Sequence, residues 1–267
     1  MIRENEYVKL LGALVQVVES NKGFKVKNGE WAIDAEGLAL KFFSHAASVL
    51  YLYRSTTIKD LEVGPISFFD ISSVNVLSRS AFETFLIFHK VFIAPNNQEE
   101  KQFYYKLWVI SGLRERQEFA KNASDPKGQL ATEMEQIQSL QQEIEQSPAF
   151  NMLTENQKAQ QQRRGKWRFN SWKELAIEAG FSEQNANSIY SYLSEYAHSG
   201  NIGIRQITQA KDKETQKQLC SVALHLIMIC TAKLILFYCS LFPKSADYLK
   251  SQTETKKIIQ IWESLAS

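Results

Sequence analysis

Residues 219–242 read LCSVALHLIMICTAKLILFYCSLF, and the fold class turns on what that stretch is. As a helix rising about 1.5 Å per residue it is long enough to cross a bilayer. His225 and Lys233 lie inside it, and a lysine near the centre of a membrane helix costs about 2.5–3.5 kcal/mol to insert. The surrounding apolar residues can cover that cost, so the lysine alone does not decide the matter. A helix apolar on all sides is also what the central member of a soluble bundle looks like. The rest of the chain offers no second span. A buried bundle helix and no membrane partner is therefore the expectation, with Lys233 reaching an edge or pairing with a carboxylate.

Composition agrees with a bundle. Of 267 residues, 44% are hydrophobic and 22% charged, as in ordinary folded proteins, so wholesale disorder is excluded. Only 11 Gly and 5 Pro are present, too few for the many turns of a β-sandwich or barrel. Lys and Arg (31) nearly balance Asp and Glu (29), so no overall field draws the protein onto nucleic acid or anionic lipid. Cys220, Cys230 and Cys239 all sit in the apolar stretch. On one helix they are separated by about 14–15 Å, too far for a disulfide. No paired-cysteine zinc motif exists, and the charged N-terminal run does not read as a signal peptide. A cytoplasmic location is expected.

Outward from the central stretch, helical periodicity recurs. Tyr7, Leu10, Leu11, Leu14, Val15 and Val18 make one apolar face, stopped by Asn21-Lys22-Gly23, and Asn28-Gly29 is the next turn signal. Leu38, Phe42, His45, Val49 and Leu52 make a second stripe over about 32–54. Pro65 breaks the chain before a long helix, about 71–93, apolar nearly all round past Phe82. Asn97 with Glu100 forms a capping box for a fourth helix. Asp125-Pro126 starts a fifth, whose seam of Leu130, Met134, Ile137, Leu140 and Ile144 is one residue wide, as in a coiled-coil arm. The run TENQKAQQQRRGK (154–166) is the most polar and most linker-like. The expected architecture is all-α, a multi-helix bundle forming a single domain over 1–267. An amphipathic arm at 127–147 protrudes from it or packs on a second copy as a homo-oligomer contact. Residues 148–170 are a polar, basic connecting segment.

Two polar constellations interrupt apolar helices. Arg79 and Glu83 share one side of the third helix, either as a surface ion pair or, if that helix is central, as desolvated charges that need partners. Asn187, Ser191, Ser194 and His198 form a line at steps of four, three and four, with small hydroxyls and an amide where a solvated face would carry Lys, Glu or Gln. That line either lines a polar pocket or is a half-exposed face whose terminal histidine favours the helix dipole. Elsewhere, Arg163, Arg164, Lys166 and Arg168 surround Trp167 and Phe169, a composition suited to RNA phosphates with base stacking. The alternative is a solvated helix end offsetting the acidic arm. LAIEAGFSEQNANSIYSYL mimics a helix-turn-helix, but its second helix lacks the side chains that read base edges. His45, His89 and His225 read as core histidines rather than metal ligands, and no nucleotide or cofactor motif is present, so neither metal nor cofactor is expected.

The stretches SRSAFETFLIFHKVF (78–92), Trp172 with LAIEAGF, and YSYLSEYAHSG (190–200) resemble the bacterial helical family named domain of unknown function 5677. That resemblance implies an Arg-then-Glu helix combined with a later Tyr-x-x-Leu-Ser-x-x-x-His element. On this chain those positions are Arg79, Glu83, Tyr190 with Tyr192 beside it, Ser194 and His198, so the two constellations are expected to share one site, with Asn187 and Ser191 at its edge. It implies no activity. The HEPN superfamily of helical bundles, many of them ribonucleases, places four to six residues between an Arg and a His; here the corresponding positions hold Ser191, Tyr192 and Leu193, and the motif is missing. Two functions remain: a binding or regulatory module with a polar pocket, or a defence- or toxin-type ribonuclease using Arg79, Glu83 and His198.

Overall fold

The computed structural model describes residues 3–22, 29–120 and 128–266. Asn28, Gly23, Asp125, Pro126 and Lys127, invoked above as turn, cap and arm residues, lie outside them. Among the described residues the elements run α1 (Glu4–Glu19), α2 (Glu30–Tyr53), β1 (Thr56–Ile58), β2 (Ile66–Phe68), α3 (Ile71–Phe88), a π-helical turn (His89–Ile93), α4 (Gln98–Phe119), α5 (Gln129–Gln146), α6 (Pro148–Asn151) and α7 (Glu155–Arg164). They continue with α8 (Trp172–Glu178), α9 (Glu183–Ala197), α10 (Asn201–Gln209), α11 (Lys213–Leu219), α12 (Ser221–Leu241), α13 (Pro243–Lys250) and α14 (Thr253–Ser264). The protein is all-α, a multi-helix bundle whose sole sheet among these residues is the antiparallel β1–β2 hairpin. Instead of one domain with an arm, the contacts divide the chain into two compact units, 1–88 with 172–267, and 89–171.

The larger unit is built around α12. Leu224, Ile227, Cys230, Leu234, Ile235 and Tyr238 are fully buried there. Each large apolar side chain removed from water contributes about 1.5–3 kcal/mol. Helices α1, α3 and α14 pack around it, and Phe85 of α3 stacks on Phe237 at 5.8 Å. Among the described residues, α12 is the one helix long and apolar enough to cross a membrane, and it lies mostly inside the protein. Its lysine is buried as well, with Nζ 3.4 Å from Glu263 Oε1 on α14. Asp70 starts α3 by accepting the Ser73 amide. The hairpin before it pairs Ile58 with Ile66 and joins Thr57 and Ser67 by a 2.8 Å hydroxyl bond, where the sequence shows only the break at Pro65.

The smaller unit has its own core. Phe103, Leu107 and Ile110 of α4 meet Ile137 and Ile144 of α5 and Phe150 of α6. The narrow seam of α5 is thus covered within its own chain rather than left as an arm. The segment expected as a connector, 148–170, carries α6 and α7. Ser147 caps α6 with Pro148 at its first position, and a Thr154–Gln157 capping box opens α7. Gln161 of α7 is fully buried and exchanges amide hydrogen bonds of 3.0 and 3.1 Å with Gln141 of α5. Asn97 caps α4 as expected, but Glu100 reaches the Asn96 amide rather than that of Asn97.

Candidate functional site

Arg79 sits on the outer side of α3 and meets the facing side of α9. Its guanidinium makes three bonds: Nε to Glu83 Oε1 at 3.0 Å, Nη2 to Tyr190 Oη at 2.8 Å, and Nη1 to His198 Nε2 at 3.0 Å. The guanidinium carbon also lies 4.9 Å from the Tyr190 ring centroid, a cation–π contact. Arg79 and Glu83 are partly buried, with 19% and 26% of their side-chain surface exposed, whereas His198 is exposed. An arginine can only donate, so the His198 Nε2 lone pair accepts and the neutral ring carries its proton on Nδ1. These three contacts use three of the five guanidinium N–H groups.

Local sequence explains this placement. Glu83 lies one turn beyond Arg79, and Tyr190, Ser194 and His198 are spaced by four on α9, so each set shares a helix face. His198 is the cap residue of α9. Past it, Ser199 takes the left-handed conformation (φ 52°), and the Gly200 amide returns to the Glu195 carbonyl at 2.7 Å. Gly203 of α10 lets that next helix approach, since a Cβ there would lie 3.2 Å from the Glu195 carbonyl oxygen. The Gly-rich stretch after His198 is thereby a tight helix-to-helix turn.

The other expected site residues are placed differently. The Ser194 hydroxyl bonds back to the Tyr190 carbonyl at 2.7 Å rather than to the imidazole. Tyr192 gives its hydroxyl to the Leu219 carbonyl at 2.5 Å and lies 3.3 Å from that of Tyr196. Burial raises its phenol well above the usual range, and the Tyr196 hydrogen bond adds to this. Tyr190, not Tyr192, faces Arg79. Asn187 and Ser191 are exposed. On the other flank of α3, the hydroxyl of Ser80 lies 3.2 Å from His45 Nε2, a pair that sequence reasoning missed. Burial pulls the His45 imidazole below the ordinary histidine value, and nearby Lys41 adds to it. His225 stacks on Trp262 at 5.7 Å. Among the described residues, no group of three His, Cys, Asp or Glu side chains is arranged to hold a metal. Burial pushes the Cys220 thiol up to about 12 and that of Cys239 up to about 11, so neither is poised as a nucleophile.

The basic aromatic segment divides. Trp167 and Phe169 pack against the core of the smaller unit, while Arg163, Arg164 and Lys166 are exposed. The Arg168 guanidinium donates to the Asn170 carbonyl.

Fold and site together define a helical protein with a donor-rich Arg–Glu–Tyr–His cluster on its surface. Residues 67–215, more than half the chain, match the Family of unknown function (DUF5677), and the chain belongs to that family. The match contains Arg79, Glu83, Tyr190, Ser194 and His198. Comparison with curated proteins finds no match, and comparison with solved structures finds none either.

Proposed function

We propose that this protein is an intracellular binding module whose Arg79-centred site takes a ligand bearing an oxyanion. The observation that carries this reading is the triple clamp on the guanidinium. Glu83, Tyr190 and His198 hold Arg79 in one orientation. Among the described residues, two guanidinium N–H groups, the Tyr190 hydroxyl proton and His198 Nδ1–H are left as donors, a set that suits phosphate or carboxylate oxygens. The same geometry weighs against general-base catalysis, because the His198 Nε2 lone pair is already engaged by Arg79. Titration with inorganic phosphate and with adenosine monophosphate, followed by NMR at the His198 ring, tests the reading. Saturable shifts that vanish in Arg79→Gln are expected; no saturable shift with either probe would defeat it.

A second reading rests on the 3.0 Å Arg79–His198 contact, which sets a cation beside an exposed imidazole as a phosphodiester-cleaving site would. A ribonuclease would have to release His198 from Arg79 before using it as a base. Cleavage of an RNA pool that is lost in His198→Ala would establish the enzyme in place of the binding module.

A further inference from the structure

The smaller unit carries a concave surface of about 400 Å³ lined by Asn156, Ala159, Gln160, Arg163, Arg164 and Lys166. No carboxylate lines it. Lys166 Nζ donates to Gln160 Oε1 at 2.8 Å, and Gln160 Nε2 to Asn156 Oδ1 at 3.2 Å, so amides and ammonium form one prearranged line. Arg163 and Arg164 stand beside it with no hydrogen bond or ion pair among the described residues. Both lie in the last turn of α7, where their charge complements the helix dipole while their guanidinium donors stay without a protein partner among the described residues. Two of the terminal carbonyls of α7 are served by Arg114 instead, whose Nη1 donates to Gln161 O at 3.2 Å and Gln162 O at 2.9 Å. Arg114 lies against Gly165, where a Cβ would come within 2.6 Å of its Cδ, so the cap is closely fitted.

The geometry points to a binding surface for the phosphate backbone of a single nucleic-acid strand. The stripe Asn156, Gln160, Arg163, Arg164 extends over about 12 Å of helix, longer than one phosphate requires. Three cations for phosphates stand at one end of it, and two amides able to meet sugar hydroxyls at the other. Trp167 and Phe169, the aromatics that would stack on bases, are committed to the core, so recognition runs through charge and is indifferent to base sequence. An anionic membrane is a poorer fit, since Ala159 is the only apolar residue in the lining.

Fluorescence polarisation of a labelled 20-nucleotide uridylate strand tests this. Binding by the full chain near 50 mM salt is expected, weakened at least tenfold in Arg163→Ala/Arg164→Ala. Two lost phosphate contacts should reduce the slope of log affinity against log salt by about 1.4. Arg163→Lys/Arg164→Lys should retain most binding, because the charge rather than the guanidinium fork carries the contact. Equal affinity in the double alanine variant, no binding by the intact protein, or binding to phosphatidylserine vesicles in place of the strand would each overturn the assignment. The circular-dichroism melt of each variant should match the parent.

Discussion

Arg79 has one hydrogen bond to each of three side chains, and these partners are not equally costly to remove. Glu83 carries the charge that balances a partly buried guanidinium, whereas His198 is exposed. Glu83→Ala is therefore expected to cost about 1–3 kcal/mol in urea unfolding by stranding a charged donor. His198→Ala should stay within about 1 kcal/mol. A larger loss in His198→Ala than in Glu83→Ala would reverse the assignment of Glu83 as the anchor. His45 gives a pH dependence of definite sign. Its folded value lies below its unfolded value of about 6.5, so the unfolded chain takes up the proton first on acidification. Its contribution is fully present above about pH 6.5 and is lost as pH falls through the folded value. His45→Gln, which keeps an acceptor for Ser80, should flatten the fall in Tm between pH 7 and 5; an unchanged slope would refute it. At this scale the sequence exposes Arg79, Glu83 and His198 because each breaks an apolar pattern. It conceals the destination of Ser194, whose hydroxyl finds its own helix carbonyl, and the Ser80–His45 pair, which needs α2 and α3 side by side.

Elements are legible where hydrophobic period is long, as in α1, α2 and α12, and illegible where burial is polar or the run is short. Helix α7 hides because its buried residue is Gln161, held by an amide pair instead of an apolar stripe. The hairpin hides because three-residue strands are too short to show alternation. Within α12 the instructive residue is Lys233, which packs beside Gly180 and reaches Glu263, itself 40% exposed at the side chain. A buried ion pair is often replaceable by an apolar residue of similar shape, while removing one partner is costly. Lys233→Met is accordingly expected to leave the Tm unchanged or raised, and Glu263→Ala to lower stability by about 1–3 kcal/mol. Differential scanning calorimetry of both variants decides: a marked loss in Lys233→Met would mean the ammonium itself is needed.

At the level of the whole molecule, a formal net charge of +2 hides a local basic surface, because the balancing acids lie elsewhere on the chain. The two units likewise escape a sequence reading, since residues 89–171 interrupt the larger unit and apolar periodicity on both sides looks alike. Their cores have different members: Leu224, Ile227 and Ile235 in one, Phe103, Leu107 and Ile144 in the other. Removing 128–147 would uncover Phe103, Leu107 and Ile110 rather than trim a free arm. A subtler change separates the units more cleanly. Ile144 is fully buried, so Ile144→Ala should cost about 2–5 kcal/mol through lost burial and the cavity left behind. Because that loss falls within a self-contained core, hydrogen exchange should rise in α4, α5 and α7 while the amides of α12 keep their protection. The His198 ring signals should also stay in place, as Arg79, Tyr190 and His198 all belong to the larger unit. Equal loss of protection in α12 would show instead that the chain unfolds as one cooperative body, with its two cores dependent on each other.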